Sequence, residues 1–150
     1  MPDETSVIVA YYKGQEHLDW ILNNHLYNVR AGESKGSIVL NNELINARYL
    51  LLHNGKESHH LIRINKEGPK IYTRAELIKM GYPQYRISGT DEIDTEREKR
   101  EANKIYLVFK LFKNNSAEKE LLVYKWDKLG DTRPHTENLV KLISRAKKIH

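Results

Sequence analysis

The sequence predicts an α+β protein with a mixed or mainly antiparallel sheet, which can curl into a partly closed barrel, and two or three flanking helices. Most apolar runs are short and rich in β-branched and aromatic residues, which is typical of strands. These runs mostly follow one another without an intervening helix, as in antiparallel sheets. Apolar residues recur at helical spacing in only a few places.

Five short apolar runs predict strands in the first half of the chain. They cover residues 6–12, 26–29, 37–40, 48–53 and 59–65. The last two flank Asn54-Gly55, a pair that tolerates positive φ, and they are predicted to form a hairpin. The apolar residues after Gln15 recur at helical spacing and predict a helix that ends at Asn23-Asn24. An asparagine at 41 or 42 can cap a brief helical turn.

The second half begins with a predicted short helix. Thr73-Arg74-Ala75-Glu76 matches the capping-box pattern, and Gly81 supplies a C-terminal stop. Residues 104–112 alternate as a strand does, and residues 121–126 are the predicted hairpin partner across an Asn-Asn-Ser turn. Residues 134–148 place their apolar side chains on one face and predict an amphipathic helix.

Length and charge indicate one domain over residues 1–150, carrying a net charge of +5. The net charge is +4 over residues 51–90, −3 over 91–103 and +6 over 104–150. We expect the acidic insert at 88–103 to be mobile, because little in it can join a core.

The absence of cysteine excludes disulfides and cysteine-ligated zinc and suits a cytoplasmic protein. We expect no membrane partner and no cofactor, and the oligomeric state stays open.

Cations and tyrosines interleave in the middle of the chain. Nucleic-acid surfaces need cations for phosphates and flat rings for bases, and this stretch supplies both. The predicted nucleic-acid-binding residues are Arg63, Lys79, Tyr82, Tyr85 and Arg86. The leading hypothesis is therefore a small RNA- or DNA-binding domain. A second anion site is predicted in the polar loop 30–36, where Arg30 and Lys35 stand among glycines that free backbone N–H groups.

Two alternatives to nucleic-acid binding remain open. His53, Glu57 and one of His59 or His60 could supply a metal-assisted hydrolase or nuclease, because imidazole and carboxylate ligands suit such metals. The third hypothesis is a protein-interaction module without catalysis. Known catalytic motifs such as the phosphate-binding loop and the zinc-protease helix are absent, so catalysis is the less favoured class.

Residues 36–126 resemble the PUA-like domains, among them the ASCH and EVE relatives. The features that carry the resemblance are the strand-rich middle, the short helix that ends in Gly81-Tyr82-Pro83 and the later predicted hairpin. The resemblance implies a small curled sheet with helices at its openings. It also implies a partner such as RNA or a modified base, and it assigns no individual binding residue.

Overall fold

The computed structural model describes residues 5–32, 41–58, 60–83, 95–127, 129 and 133–149. These residues form an α+β fold, as predicted. The strands are β1 Ser6–Tyr11, β2 Leu26–Gly32, β3 Tyr49–His53, β4 Glu57–Ser58, β5 His60–Arg63, β6 Lys70–Thr73, β7 Ile105–Lys110, β8 Tyr124–Asp127, β9 His135–Asn138 and β10 Lys147–Lys148. The helices are α1 Gln15–Asn24, α2 Asn42–Ile45, α3 Arg74–Lys79, α4 Thr95–Glu101 and α5 Leu139–Ser144.

The chain divides into two compact units. The first comprises the described residues within 1–26, 41–68 and 110–150, and the second those within 27–40 and 69–109. Compact units of this kind occur within one domain as well as in separate domains. The single domain predicted over 1–150 therefore stays a prediction.

A four-stranded sheet with the order β5-β3-β1-β9 forms the centre of the first unit. β1 runs parallel to β3 and antiparallel to β9, and β3 runs antiparallel to β5. The predicted hairpin of β3 and β5 is confirmed, with Leu50 opposite Ile62. A second sheet in this unit has the order β10-β8-β4. The sheets are thus mixed and antiparallel, as the sequence predicts.

Both faces of the four-stranded sheet are covered. On one face, Val7, Val9, Tyr49, Leu51 and Leu61 join a buried cluster with Ala117, Trp126 and Leu142. The indole Nε1 of Trp126 donates to the Leu142 carbonyl at 2.8 Å, so the one polar atom of this large side chain is satisfied in the core. Strand residues that alternate with these, such as Ile8 and Leu50, are also fully buried.

The predicted hairpin of 104–112 with 121–126 is wrong. β7 pairs with β6, and β8 pairs with β4 and β10. Residues 121–123 are in turn conformation instead of strand, and Leu121 and Leu122 pack against the core cluster of the first unit. The two leucines that the prediction assigned to the return strand pack against the core from a turn instead.

The predicted helix over 134–148 is also wrong in extent. Residues 135–138 form β9 on the edge of β1, and α5 covers only Leu139–Ser144. The Asn138 side chain accepts from the backbone N–H groups of Val140 and Lys141 and so begins the helix after the strand. Residues 147–148, predicted as the end of this helix, form β10.

The second unit holds a three-stranded sheet with the order β2-β7-β6 and the helix α3. The predicted capping box is present, because Thr73 accepts from the Glu76 N–H and Glu76 accepts from the Thr73 N–H. Gly81 ends the helix with φ +88°. The N–H groups of Gly81 and Tyr82 donate to the carbonyls of Ile78 and Leu77, the bonding pattern of a Schellman motif.

The C-terminal part of the predicted acidic insert is held against α3. Residues 95–101 form α4. Arg74 is 1% exposed, and its Nη1 lies 3.8 Å from the Glu101 carboxylate, which also binds Lys104 at 2.8 Å. The Arg74 N–H donates to the Lys104 carbonyl. Residues 88–94 lie outside the described part, so the expected mobility stays a prediction.

The strand β2 is longer than predicted. It continues through Gly32, so Arg30 belongs to a strand and not to a polar loop. Asn41 caps α2 by accepting from the Leu44 N–H at 3.1 Å, which confirms the predicted helical turn. None of the helices in the described ranges has the length and hydropathy that crossing a membrane requires.

Replacing Thr73 with alanine should lower the free energy of unfolding by about 1 kcal/mol, because the N–H of Glu76 loses its acceptor. Thr73→Ser keeps the hydroxyl and is the matched control, with a much smaller expected loss. Urea unfolding followed by circular dichroism measures both. Equal losses in the two variants would contradict the cap.

Candidate functional site

A short chain segment extends the four-stranded sheet beyond β5. Leu111 forms an antiparallel bridge with Ile64. The Phe112 N–H donates to the Arg63 carbonyl at 2.8 Å, and the Asn65 N–H donates to the Lys110 carbonyl at 2.8 Å. This register places Phe112 directly opposite Arg63, and Lys110 opposite Asn65.

Arg63 and Phe112 are therefore cross-strand neighbours on one face, with Cβ atoms about 5 Å apart. Phe112 is 45% exposed, which is high for a phenylalanine on the margin of a packed sheet. Lys110 and Lys113 on either side of it are exposed, and Arg63 is half-buried. We call these four residues the Phe112 platform: an exposed ring together with the three cations that are its neighbours in sequence and register.

A cleft of about 430 Å³ adjoins Arg63 in the first unit. Its charged lining consists of the cations Arg48, Arg63 and Lys66 and the carboxylate Glu67. Backbone and side chains of 45–47 and 64–65 complete the wall. Since three cations face one carboxylate, the cleft favours an anionic ligand. We call it the cationic cleft.

Glu118 binds one of the cleft cations. The Nη2 of Arg48 donates to Glu118 Oε1 at 3.2 Å, and the Tyr49 hydroxyl donates to Oε2. Arg48 also lies over the Tyr49 ring, with its Cζ 5.7 Å from the ring centroid. Arg63 is next to this group, because it is the register partner of Tyr49 on β5.

The ionisation of Tyr49 and Glu118 reflects this arrangement. Burial, followed by the hydrogen bond to Glu118 and its charge, raises the pKa of Tyr49 to about 12. The same hydrogen bond lowers the pKa of Glu118, and the charges of Arg48 and Arg63 lower it further. The carboxylate is therefore ionised and the phenol neutral at pH 7.

A second, larger cleft of about 780 Å³ shares Asn46 and Arg48 with the first. Its lining is polar and nearly balanced in charge: Thr5, Ser6, Asn42, Glu43, Asn46, Arg48, Thr136, Glu137 and Asn138. The Glu137 carboxylate contacts His135 Nε2 and Arg145 Nη2. This cleft lacks the cation excess of the first.

The predicted nucleic-acid-binding residues are distributed over both units. Arg63 ends β5 in the first unit, and Lys79 is exposed at the end of α3 in the second. Tyr82 is 9% exposed, and its hydroxyl donates to Asn28 Oδ1 at 2.6 Å. A ring buried to this degree offers little surface on which a base could stack. Tyr85 and Arg86 lie outside the described residues.

The predicted anion site at 30–36 is described only in part. Arg30 is exposed on β2, and Lys35 lies outside the described residues. The structure therefore leaves this site as a prediction.

The predicted metal or acid–base trio is also only partly described. His53 is 1% exposed, its Nδ1 accepts from the Gly55 N–H at 3.1 Å, and its ring lies 5.8 Å from that of Tyr11. His60 is opposite Leu52 and so shares the face of Leu52, whereas the next residue, His53, points to the other face. This removes His60 as a co-ligand of His53.

His59 and the side chain of Glu57 lie outside the described part of the chain. Among the described residues, no group of three histidine, aspartate or glutamate side chains is placed to hold a metal ion. The trio of His53, Glu57 and His59 therefore stays a prediction.

Sequence reasoning missed Phe112, Arg48 and Glu118, whereas Lys66 lies in the basic stretch that it singled out. The run Lys110-Leu-Phe-Lys113 carried a usable signal, since an aromatic between lysines at the end of a strand is a poor core residue. No sequence signal pointed to Glu118, because its contact with Arg48 spans 70 residues of sequence.

Comparison with known proteins adds no relative. No family model matches the chain, no curated protein matches it, and no solved structure matches it. The resemblance to PUA-like domains therefore stays a prediction.

Tyr49 should keep its proton to about pH 12, whereas an unfolded tyrosine ionises near pH 10. Its folded pKa lies above the unfolded one, so the free energy of unfolding should decline as the pH rises above about 10. Tyrosinate absorbance during a pH titration of the native protein and of Tyr49→Phe checks this. If the two titration curves differ near pH 10 instead of near pH 12, the arrangement around Tyr49 is wrong.

Proposed function

We propose that the first unit binds single-stranded nucleic acid, RNA or DNA, through the cationic cleft and the Phe112 platform. The phosphates bind Arg48, Arg63 and Lys66, and a base stacks on Phe112. Cytoplasmic location is part of this proposal and is supported by the absence of cysteine.

The observation that carries the proposal is the cross-strand pair of Arg63 and Phe112. Arg63 lines the cleft, and its register partner is a phenylalanine that is 45% exposed. Proteins that bind single strands combine cations for the backbone with aromatic faces for the bases. Here the two residues are directly opposite each other on paired segments, with Cβ atoms about 5 Å apart.

The spacing of the cations suits a chain of phosphates better than one small anion. Arg63 and Lys66 belong to one of the two paired segments, and Lys110 and Lys113 belong to the other. A free phosphate can reach few of these charges at once, whereas a polyanion neutralises several and releases its counterions. The exposed ring adds a contact that inorganic phosphate cannot make.

The direct test is the affinity of the full chain for labelled RNA and DNA single strands of about ten nucleotides. Fluorescence anisotropy at about 50 mM and about 200 mM salt should show binding that weakens as salt rises. Binding that is absent at the lower salt concentration would end the proposal. A duplex of the same sequence should bind more weakly, because its bases are stacked on one another.

Lys66→Gln should lower the affinity and reduce the slope of log K against log salt by about 0.7, the value of one phosphate contact on a single strand. The matched control is Lys99→Gln, which removes an equally exposed lysine from α4 in the second unit. Equal effects of the two substitutions would indicate binding through net charge alone.

Phe112→Ala should cost about 1–3 kcal/mol of binding free energy, because one stacked base loses its aromatic partner. Ile71→Ala serves as control, since Ile71 is 41% exposed and lies in the second unit. Phe112→Trp should retain binding. Unchanged affinity in Phe112→Ala would remove the platform from the proposal.

A further inference from the structure

One cation of the cationic cleft is already paired with a carboxylate of the protein. Glu118 accepts from Arg48 Nη2 at 3.2 Å and from the hydroxyl of Tyr49. The side chains of Arg48 and Glu118 are 50% and 39% exposed, so an incoming ligand can reach the pair. An arginine fork binds a carboxylate and a phosphate with the same geometry.

The charge of Glu118 acts on two of the three cleft cations. Arg48 contacts the carboxylate, and the charge of nearby Arg63 contributes to the lowered pKa of Glu118. The cleft lining taken alone presents three cations and one carboxylate. Glu118 cancels a further cation at the position where a phosphate would bind.

We propose that Glu118 is an internal competitor for the phosphate, so that nucleic acid binds by displacing this carboxylate from Arg48. The proposal rests on the proposed function. In the free protein Glu118 accepts from Arg48 Nη2; in the complex a phosphate oxygen takes the place of this carboxylate oxygen, and Glu118 moves toward solvent. The exchange weakens binding, because the Arg48–Glu118 pair must be broken first.

A purely structural role of Glu118 makes the opposite prediction. If the carboxylate only positions Arg48, then removing its charge leaves Arg48 poorly oriented and weakens binding. Glu118→Gln separates the two roles, because the amide oxygen can still accept from Tyr49 or Arg48 while the charge is gone. Competition predicts tighter binding for this variant, and positioning predicts weaker binding.

The experiment compares the wild type with Glu118→Gln and Glu120→Gln in the anisotropy assay at about 50 mM and about 200 mM salt. Glu120 is an exposed carboxylate in the same segment and is the matched control for net charge. Glu118→Gln should bind about three- to fivefold tighter than Glu120→Gln, the size of one exposed ion pair. In an Arg48→Gln background this gain should vanish, because the fork is absent.

A second measurement uses the unmodified sequence. In 13C-labelled protein, the chemical shift of the Glu118 carboxyl carbon should change when the oligonucleotide is added at pH 7. The chemical shift of the Glu120 carboxyl carbon should change less. This measurement does not depend on whether any variant folds. A Glu118 signal that stays constant while the protein is saturated would overturn the displacement.

The outcomes separate the two proposals. If the wild type binds and Glu118→Gln binds no tighter than Glu120→Gln, the competitor role is wrong and the proposed function stands. If neither the wild type nor Glu118→Gln binds at low salt, the proposed function itself is wrong. Urea unfolding of each variant confirms that affinities are compared between folded proteins.

Discussion

The candidate site depends on the pairing of residues 110–112 with the outer edge of β5. The Ile64–Leu111 bridge and the two backbone hydrogen bonds beside it fix the register. A slip by one residue would place Phe112 on the opposite face from Arg63 and separate the ring from the cations of the cleft. Burial of Leu111 opposes such a slip, because the slip would turn this side chain to the other face. The apolar residues of the bridge thus determine where the polar chemistry lies.

The same sheet connects the core to the charged cluster. Tyr49 packs in the core through its ring, while its hydroxyl holds Glu118. Glu118 in turn binds Arg48, which lines both clefts of the first unit. Because the ring is held by packing, its hydroxyl is a fixed hydrogen-bond donor to the carboxylate in the free protein. The electrostatics of the cationic cleft therefore follow from the packing of one tyrosine.

Local chemistry made much of the fold predictable. The capping box at Thr73, the stop at Gly81 and the hairpin of β3 and β5 each rest on residues close in sequence, and each is confirmed. Pairings between distant segments were not predictable, because a short apolar run such as β8 suits many partners. The helix predicted over 134–148 is an instructive error. Its apolar positions all lie from residue 139 onward, whereas 135–138 are polar and pair with the edge of β1.

Only part of the candidate site could be named from the sequence, and nucleic-acid binding itself stays a prediction. Cations next to an aromatic residue suggested a nucleic-acid partner, and Arg63 was among the residues named. The exposed ring, however, is that of Phe112 instead of Tyr82.

The central claim is that one face of the first unit contacts single-stranded nucleic acid. Backbone amide chemical shifts recorded during titration with a single-stranded oligonucleotide test it directly. The largest changes should fall at Arg48, Arg63, Lys66 and Phe112. Changes confined to α3 and α4, with these four residues unaffected, would contradict the account.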